Sequence, residues 1–190
     1  MRGVAITAVL TVSLAAVSAW GEAAFDQGHW RLELSGLAGL NVGGGDSTGS
    51  FLTSTAVEYE FPCSTRCTLG LRLMPLFVYA QDTPEDRFCR PARYDDSSVV
   101  GGGAGLALRV YSRKGEYRGW FGEAQVNALG HEGRFNENSS NLNFLSGLGL
   151  GYKFANDWHA VLKVEHISNA QLGDDNAGTN LLGLGVGYSF

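Results

Sequence analysis

The sequence predicts an all-β fold, an eight-stranded antiparallel transmembrane β-barrel, and three observations lead to this prediction. Segments of about ten residues recur in which apolar side chains alternate with small or polar ones, as in a strand with two different faces. Glycine accounts for 27 of the 190 residues, whereas only 17% of the residues are charged. The connections between the segments are alternately long and short, which is typical of barrels in the outer membrane.

The composition excludes several other classes of protein. Glycine is about twice as frequent as the usual ~7%, but it does not follow the regular repeat of collagen. Aromatic residues make up 11% of the chain and only 4 residues are proline, which argues against a disordered chain. The net charge of −5 provides no basic surface for nucleic acid, and the length fits a single domain.

The amino-terminal residues 1–24 have the pattern of a secretory signal peptide. A positive start at Arg2 precedes an apolar run from Val4 to Val17, which is short for a membrane anchor. Small residues then offer cleavage sites after Ala19, Ala23 or Ala24. We therefore expect an exported chain with the barrel over residues 25–190.

Export would place the three cysteines in an oxidising compartment. Cys63 and Cys67 can close a small loop there, which leaves Cys89 over. Their spacing, without accompanying histidines, does not fit a zinc site, so we expect neither a metal nor a cofactor.

The predicted strands follow the alternation in chain order. They cover about residues 30–40, 50–61, 69–80, 99–111, 116–128, 141–154, 158–168 and 180–190. In the last strand, every second residue from Leu182 to Phe190 is large and apolar, and those between are glycine or serine. A soluble barrel or sandwich is the alternative, but it would leave this glycine-rich face in water.

If the apolar faces point to lipid, the opposite faces collect the charged residues inside the barrel. Strands one to five and strand seven contribute to this set, which is Arg31, Glu33, Glu58, Glu60, Arg72, Arg109, Glu123, Gln125, Asn127, Lys163 and Glu165. The basic and acidic groups nearly balance, and an eight-stranded barrel is just wide enough for side chains to fill it. We therefore expect a packed interior rather than a pore.

Long polar connections are predicted at one rim of the barrel and tight turns at the other. The long ones are 41–49, 81–98, 129–140 and 169–179, the tight ones are 112–115 and 155–157, and 62–68 is intermediate. Because long loops of outer-membrane barrels are extracellular, both chain ends are expected on the periplasmic side.

Three polar residues fall on the lipid-facing side near the extracellular rim. The apolar side of strand seven continues with His166 and Ser168, and Asn180 opens strand eight in the same phase. Polar residues facing lipid indicate a functional site, although their cost is smaller near the interface. The hairpin between the two strands would gather a hydroxyl nucleophile, an imidazole base and a side chain that orients the base. The alternative interpretation is that they are interfacial polar residues without a role in chemistry.

The end of the chain resembles the PagL-type lipid A 3-O-deacylases. The resemblance rests on the run His166-Ile167-Ser168-Asn169-Ala170, followed by Asn176-x-Gly178-x-Asn180 and a final strand. It implies an enzyme in the outer membrane of a Gram-negative bacterium that hydrolyses the ester-linked 3-O-acyl chain of lipid A. Its expected partners are therefore lipopolysaccharide and the surrounding outer-membrane lipid.

The resemblance also implies roles for individual residues. Ser168 resembles the nucleophile and His166 the general base, and Asn169 resembles the residue beside the nucleophile that helps to bind the oxyanion. Asn176 falls on a loop asparagine of the site, and the residues expected near the oxyanion or substrate are Asn169, Ala170, Asn176 and Gly178. Asn180 stands where active members of the family can carry glutamate as the third residue of the triad. A neutral amide can orient the imidazole but cannot offset its positive charge.

Two other functions compete with the esterase. A non-catalytic barrel, an adhesin or structural protein that is a degenerate family member, is the alternative because of Asn180. A narrow channel is disfavoured by the balanced charges expected inside. The sequence leaves a homodimer open.

Overall fold

The computed structural model describes residues 25–42, 45–81, 98–135, 138–176 and 178–190. The predicted signal peptide, Cys89 and most of the connection 81–98 lie outside these described residues. Within the described ranges, no helix is long and apolar enough to cross a membrane.

The described residues form a closed barrel of eight long strands. In chain order these are β1 His29–Val42, β2 Phe51–Ser64, β3 Cys67–Ala80, β4 Ser98–Tyr111, β5 Gly119–Glu132, β6 Leu142–Lys153, β7 Trp158–Ser168 and β8 Thr179–Ser189. Each strand pairs antiparallel with the next, and β8 pairs with β1 to close the sheet. The short segment Gly45–Asp46 pairs only with the end of β1. The predicted fold and its eight strands are confirmed.

Two boundaries differ from those that alternation predicts. β5 begins at Gly119 rather than near residue 116, because Tyr117 in the preceding turn and Gly119 at the start of the strand adopt positive φ values of 44° and 81°. The connection between β2 and β3 is a tight turn after Ser64, not a loop over 62–68, because both strands continue further than the apolar pattern shows.

Cys63 and Cys67 flank this turn as free thiols, so the disulfide considered between them is not present.

The strands turn opposite faces to lipid and to the interior, as the alternation predicts. Large apolar side chains are exposed around the outside, with Leu148 70% exposed and Leu162 51% exposed. Trp158 lies beside Tyr188 at the rim with the tight turns, with ring centroids 5.5 Å apart, as expected for an aromatic girdle at a membrane interface. The outer surface is therefore suited to a membrane.

The interior is filled with ion pairs. The Arg109 guanidinium donates hydrogen bonds to Glu58. Its Nε also donates to the Oε2 of Glu123 at 2.7 Å. Lys163 contacts Glu33, and the Arg72 guanidinium lies 2.8 Å from Glu58. All the residues predicted to point inward are buried, namely Arg31, Glu33, Glu58, Glu60, Arg72, Arg109, Glu123, Gln125, Asn127, Lys163 and Glu165.

An apolar cluster fills the barrel towards the rim with the long connections. Phe77, Tyr79 and Phe135 stack there against Leu37 and Leu145, and all five are buried. Elsewhere, glycines let neighbouring backbone and side-chain atoms approach closely. A Cβ at Gly187, for example, would overlap the Leu32 carbonyl oxygen and the His159 ring. The described interior is thus packed with side chains, as an eight-stranded barrel requires.

We predict that Arg109→Met lowers the free energy of unfolding by about 3–5 kcal/mol, because Glu58 and Glu123 would remain as buried charges without their partner. Urea unfolding of the protein in lipid vesicles measures this change. Arg113→Met is the matched control, since it removes an ion pair of 3.1 Å with Glu116 that is exposed to solvent, and should cost less than about 1 kcal/mol. Equal unfolding midpoints for the two variants would contradict the role of the interior network.

Candidate active site

His166 and Asn180, two of the three polar residues predicted on the lipid-facing side, meet at the rim with the long connections, and Ser168 follows further along β7. His166 lies directly across from Asn180 in the β7–β8 ladder, and β7 ends two residues later at Ser168. All three side chains are half-buried. Since successive residues of a strand point to opposite faces, His166 and Ser168 share the outer face, with Cα atoms about 6.6 Å apart from the strand rise.

The His166 ring is held in one tautomer by Asn180. Its Nδ1 lies 2.8 Å from the Asn180 Oδ1, while the Asn180 Nδ2 donates to the backbone oxygen of Val42 at 2.7 Å. The bond to Val42 fixes the direction of the amide, so the oxygen faces the ring. Because a carboxamide oxygen only accepts, Nδ1 carries the proton and Nε2 keeps its lone pair. The imidazole is therefore arranged to act as a base through Nε2.

Gly178 leaves room for the His166 ring. A Cβ at this position would lie 2.5 Å from the Cε1 of His166 and 3.1 Å from its Nε2. Neither distance is compatible with an unshifted ring, so only glycine permits the present contact. The absence of a side chain at residue 178 is thus a condition for the observed position of the imidazole.

A strained turn follows Ser168. Ala170 and Gln171 both adopt left-handed backbone conformations, with φ values of 51° and 65°. Non-glycine residues in this region cost about 1–3 kcal/mol each and persist only where surrounding contacts hold them. One such contact is the hydrogen bond from the Gln171 backbone N–H to the Asn169 Oδ1, at 2.9 Å.

Asn169 is buried behind the site rather than open to it. Its Nδ2 donates to the Asn138 Oδ1 at 3.0 Å and to the Asp175 carbonyl oxygen at 2.9 Å. Its backbone N–H donates to the Oδ1 of Asn176 at 3.0 Å, and Asn176 itself is exposed. Sequence reasoning missed Asn138, because it lies in another loop and only the fold brings it to Asn169.

A groove of about 380 Å³ runs along the outer wall below His166. Its lining includes Ala124, Ser146, Leu148, Val164, His166 and Asn180. Ser146, which is exposed, lies opposite His166 on β6 and provides a second hydroxyl near the imidazole. The lining combines apolar side chains with the polar Ser146, His166 and Asn180, and it also includes the buried Gln125 and Glu165.

Among the described ranges, no cluster of three or more histidine, cysteine, aspartate or glutamate side chains is arranged to hold a metal ion.

Comparison with known proteins identifies the family. The family model described as "Lipid A 3-O-deacylase (PagL)" matches residues 82–189. The chain belongs to this family. The predicted membership is therefore confirmed, and with it the location in the outer membrane. No match to a curated protein is found.

One solved structure shows the same fold. The crystal structure of the outer membrane enzyme PagL superimposes with a TM-score of 0.58 at 15% identity, covering 83% of this chain and 98% of that one. The outer membrane protein AlkL matches with a TM-score of 0.40 at 16% identity, covering 86% of this chain and 90% of that one. At such low identity, the similarity to PagL supports the fold alone.

We predict that Gly178→Ala displaces the His166 ring and breaks its bond to Asn180, because the added methyl group would overlap Cε1. Nitrogen NMR of the protein with ¹⁵N-labelled histidine should then show His166 losing its preference for the tautomer protonated at Nδ1. Gly130→Ala is the control, since a Cβ there has no atom within 4 Å. An unchanged His166 spectrum in Gly178→Ala would contradict this account of the ring.

Proposed function

We propose that this PagL-family barrel is an esterase that removes the 3-O-linked acyl chain of lipid A in the outer leaflet, with Ser168 as the nucleophile. The observation that carries the proposal is the His166–Asn180 pair of 2.8 Å, on the lipid-facing side, two residues from Ser168. Such a pair has no evident structural purpose on a surface that otherwise exposes apolar side chains. We further propose that residues 1–24 are removed on export.

The reaction follows the serine hydrolase scheme. The Ser168 Oγ bonds to the ester carbonyl carbon while His166 Nε2 accepts the proton of the Ser168 hydroxyl. The electron pair of the carbonyl double bond moves to the carbonyl oxygen, which becomes the oxyanion. The ester C–O bond then breaks, and His166 gives the proton to the departing sugar oxygen, which leaves as a hydroxyl group. Water attacks the acyl-enzyme in the same way, giving its proton to His166. The bond between the acyl carbon and Ser168 Oγ then breaks, His166 returns the proton to that oxygen, and the fatty acid is released.

We propose that the side chain of Asn176 stabilises the oxyanion. It is exposed, and its Oδ1 accepts from the Asn169 N–H, so the amide hydrogens lie at the other end of the group. Removing one such donor from an enzyme costs about 10²–10³ in turnover. Asn169 donates both side-chain hydrogens to protein oxygens, so we assign it the role of holding Asn176.

The position of the site suits a substrate that is itself a membrane lipid. A lipid A molecule in the outer leaflet reaches Ser168 from the side, without entering the barrel. The groove below His166 can receive the acyl chain, since its lower lining is Leu148, Val164 and Ala124. The apolar burial of the chain then contributes to binding, while the ester lies level with Ser168.

We predict that Ser168→Ala and His166→Ala abolish release of one 3-O-acyl chain from lipid A, because they remove the nucleophile and its base. Mass spectrometry of lipid A incubated with the purified protein in detergent measures the loss. Ser146→Ala is the comparison variant, as this serine also lies beside His166 and lines the groove, so its loss should change KM at most and leave the release of the acyl chain intact.

An intact lipid A after incubation with correctly folded wild-type protein would refute the esterase and favour a non-catalytic barrel. Loss of activity in Ser146→Ala, with activity retained in Ser168→Ala, would show that the nucleophile is wrongly assigned.

We predict that Asn180→Glu raises kcat by about tenfold, since a carboxylate keeps the acceptor for Nδ1 and also offsets the imidazolium charge. Asn180→Leu should lower kcat, because it removes the acceptor and frees the ring. Both are measured as lipid A turnover at saturating substrate. Equal rates for wild type, Asn180→Glu and Asn180→Leu would mean that residue 180 does not act on His166.

A further inference from the structure

A chain of buried side chains joins the loop between β5 and β6 to the segment after Ser168. The Asn169 Nδ2 donates to the Asn138 Oδ1 at 3.0 Å, and the Asn138 Nδ2 donates to the Asn143 Oδ1 at 2.6 Å. The chain ends where the Asn143 Nδ2 lies 2.6 Å from the Nε2 of His131. The three asparagines are fully buried.

Along this chain each asparagine donates from its Nδ2 to the Oδ1 of the next one, and further hydrogen bonds hold the amide groups in place. The Asn138 Oδ1 also accepts from the Ser140 backbone N–H at 3.1 Å, and the Asn143 Nδ2 donates to the Ser140 carbonyl oxygen at 3.1 Å. Buried amide groups that meet their partners in this way are rigid, because turning any one of them leaves a donor or acceptor without a partner. The network therefore fixes the Asn169 carboxamide in one orientation.

A second contact locks the same two connections together. The Ser139 backbone N–H donates to the Asp175 carbonyl oxygen, and the Asp175 N–H donates to the Ser139 Oγ, both at 3.1 Å. Gly173 lies so close to the Ser139 hydroxyl that a Cβ there would overlap it. The segment from Asn169 to Asn176 is thus clamped onto the connection between β5 and β6.

This clamp is directed at the site, since Asn169 lies next to Ser168 and orients Asn176 through its backbone N–H. The left-handed residues Ala170 and Gln171 need such support to persist. We propose that Asn138 is a positioning residue for the reaction, which acts through Asn169 to hold the oxyanion donor of Asn176 against Ser168. This inference rests on the proposed esterase function.

The test is a double-mutant cycle on lipid A deacylation by the full-length protein, with kcat and KM measured for Asn138→Ala, Asn169→Ala and the double variant. Asn138→Ala should lower kcat by about 10- to 100-fold, as expected for a misplaced catalytic group, with KM changed by less than about twofold. Because Asn138 acts through Asn169, the double variant should be about as slow as Asn169→Ala alone.

Asn141→Ala is the matched control, because this asparagine of the same connection donates to the carbonyl oxygens of His131 and Gly133 instead. It should retain kcat within about twofold of wild type. Asn143→Ala cuts the same chain one contact further from Ser168 and should show the same dependence on Asn169. It replaces Asn138→Ala if that variant does not fold, as judged by the electrophoretic shift between heated and unheated protein.

Wild-type kcat in Asn138→Ala or Asn143→Ala would overturn the positioning role while leaving the esterase intact. Additive losses in the double variant would overturn it as well, because they would mean that Asn138 and Asn169 act independently. An inactive wild type that matches Ser168→Ala would instead refute the proposed function, and this inference with it.

Discussion

The ion pairs inside the barrel are the interaction on which the rest of this structure depends. Closing eight strands leaves an interior that side chains fill. In the half of the barrel nearer the tight turns, ion pairs link Arg109, Glu58, Glu123, Lys163 and Glu33. A buried charge without a partner would be costly, so each group constrains its neighbours. A barrel filled in this way has little room to bind a substrate within it. Its outer wall and its loops are where chemistry can take place.

The candidate site, at the rim with the long connections, combines a rigid wall with a clamped loop. The β7–β8 ladder sets His166 opposite Asn180, and the closure of the barrel brings Val42 of β1 to the other end of the same amide. The loop beyond Ser168 is held from a different direction, by Asn138 of the β5–β6 connection. Sites of this kind need positional accuracy of about 0.5 Å, which strands and buried amides supply better than free loops. Under the proposed function the substrate is a membrane lipid, which is already concentrated at this surface.

Alternation along single strands was enough to predict the barrel, the inward charges and the outward-facing His166 and Ser168. The pairing of His166 with Asn180 followed from one hairpin, whose register is local. Asn138 and Ser146 were not predicted, because their nearness to the site depends on strands far away in the sequence. The start of β5 and the turn after Ser64 were misplaced, since backbone conformation rather than polarity decides them. Contacts between loops are the part that a pattern of polarity does not encode.

The central claim is that Ser168, on the lipid-facing side of a closed barrel, is the nucleophile. Peptide mapping by mass spectrometry most directly tests it, after the protein in lipid vesicles reacts with a fluorophosphonate that carries an acyl tail. The account predicts one adduct, on Ser168, which disappears in His166→Ala because the hydroxyl loses its base. An adduct on Ser146 or another residue, or an unmodified Ser168 in folded wild-type protein, would contradict it.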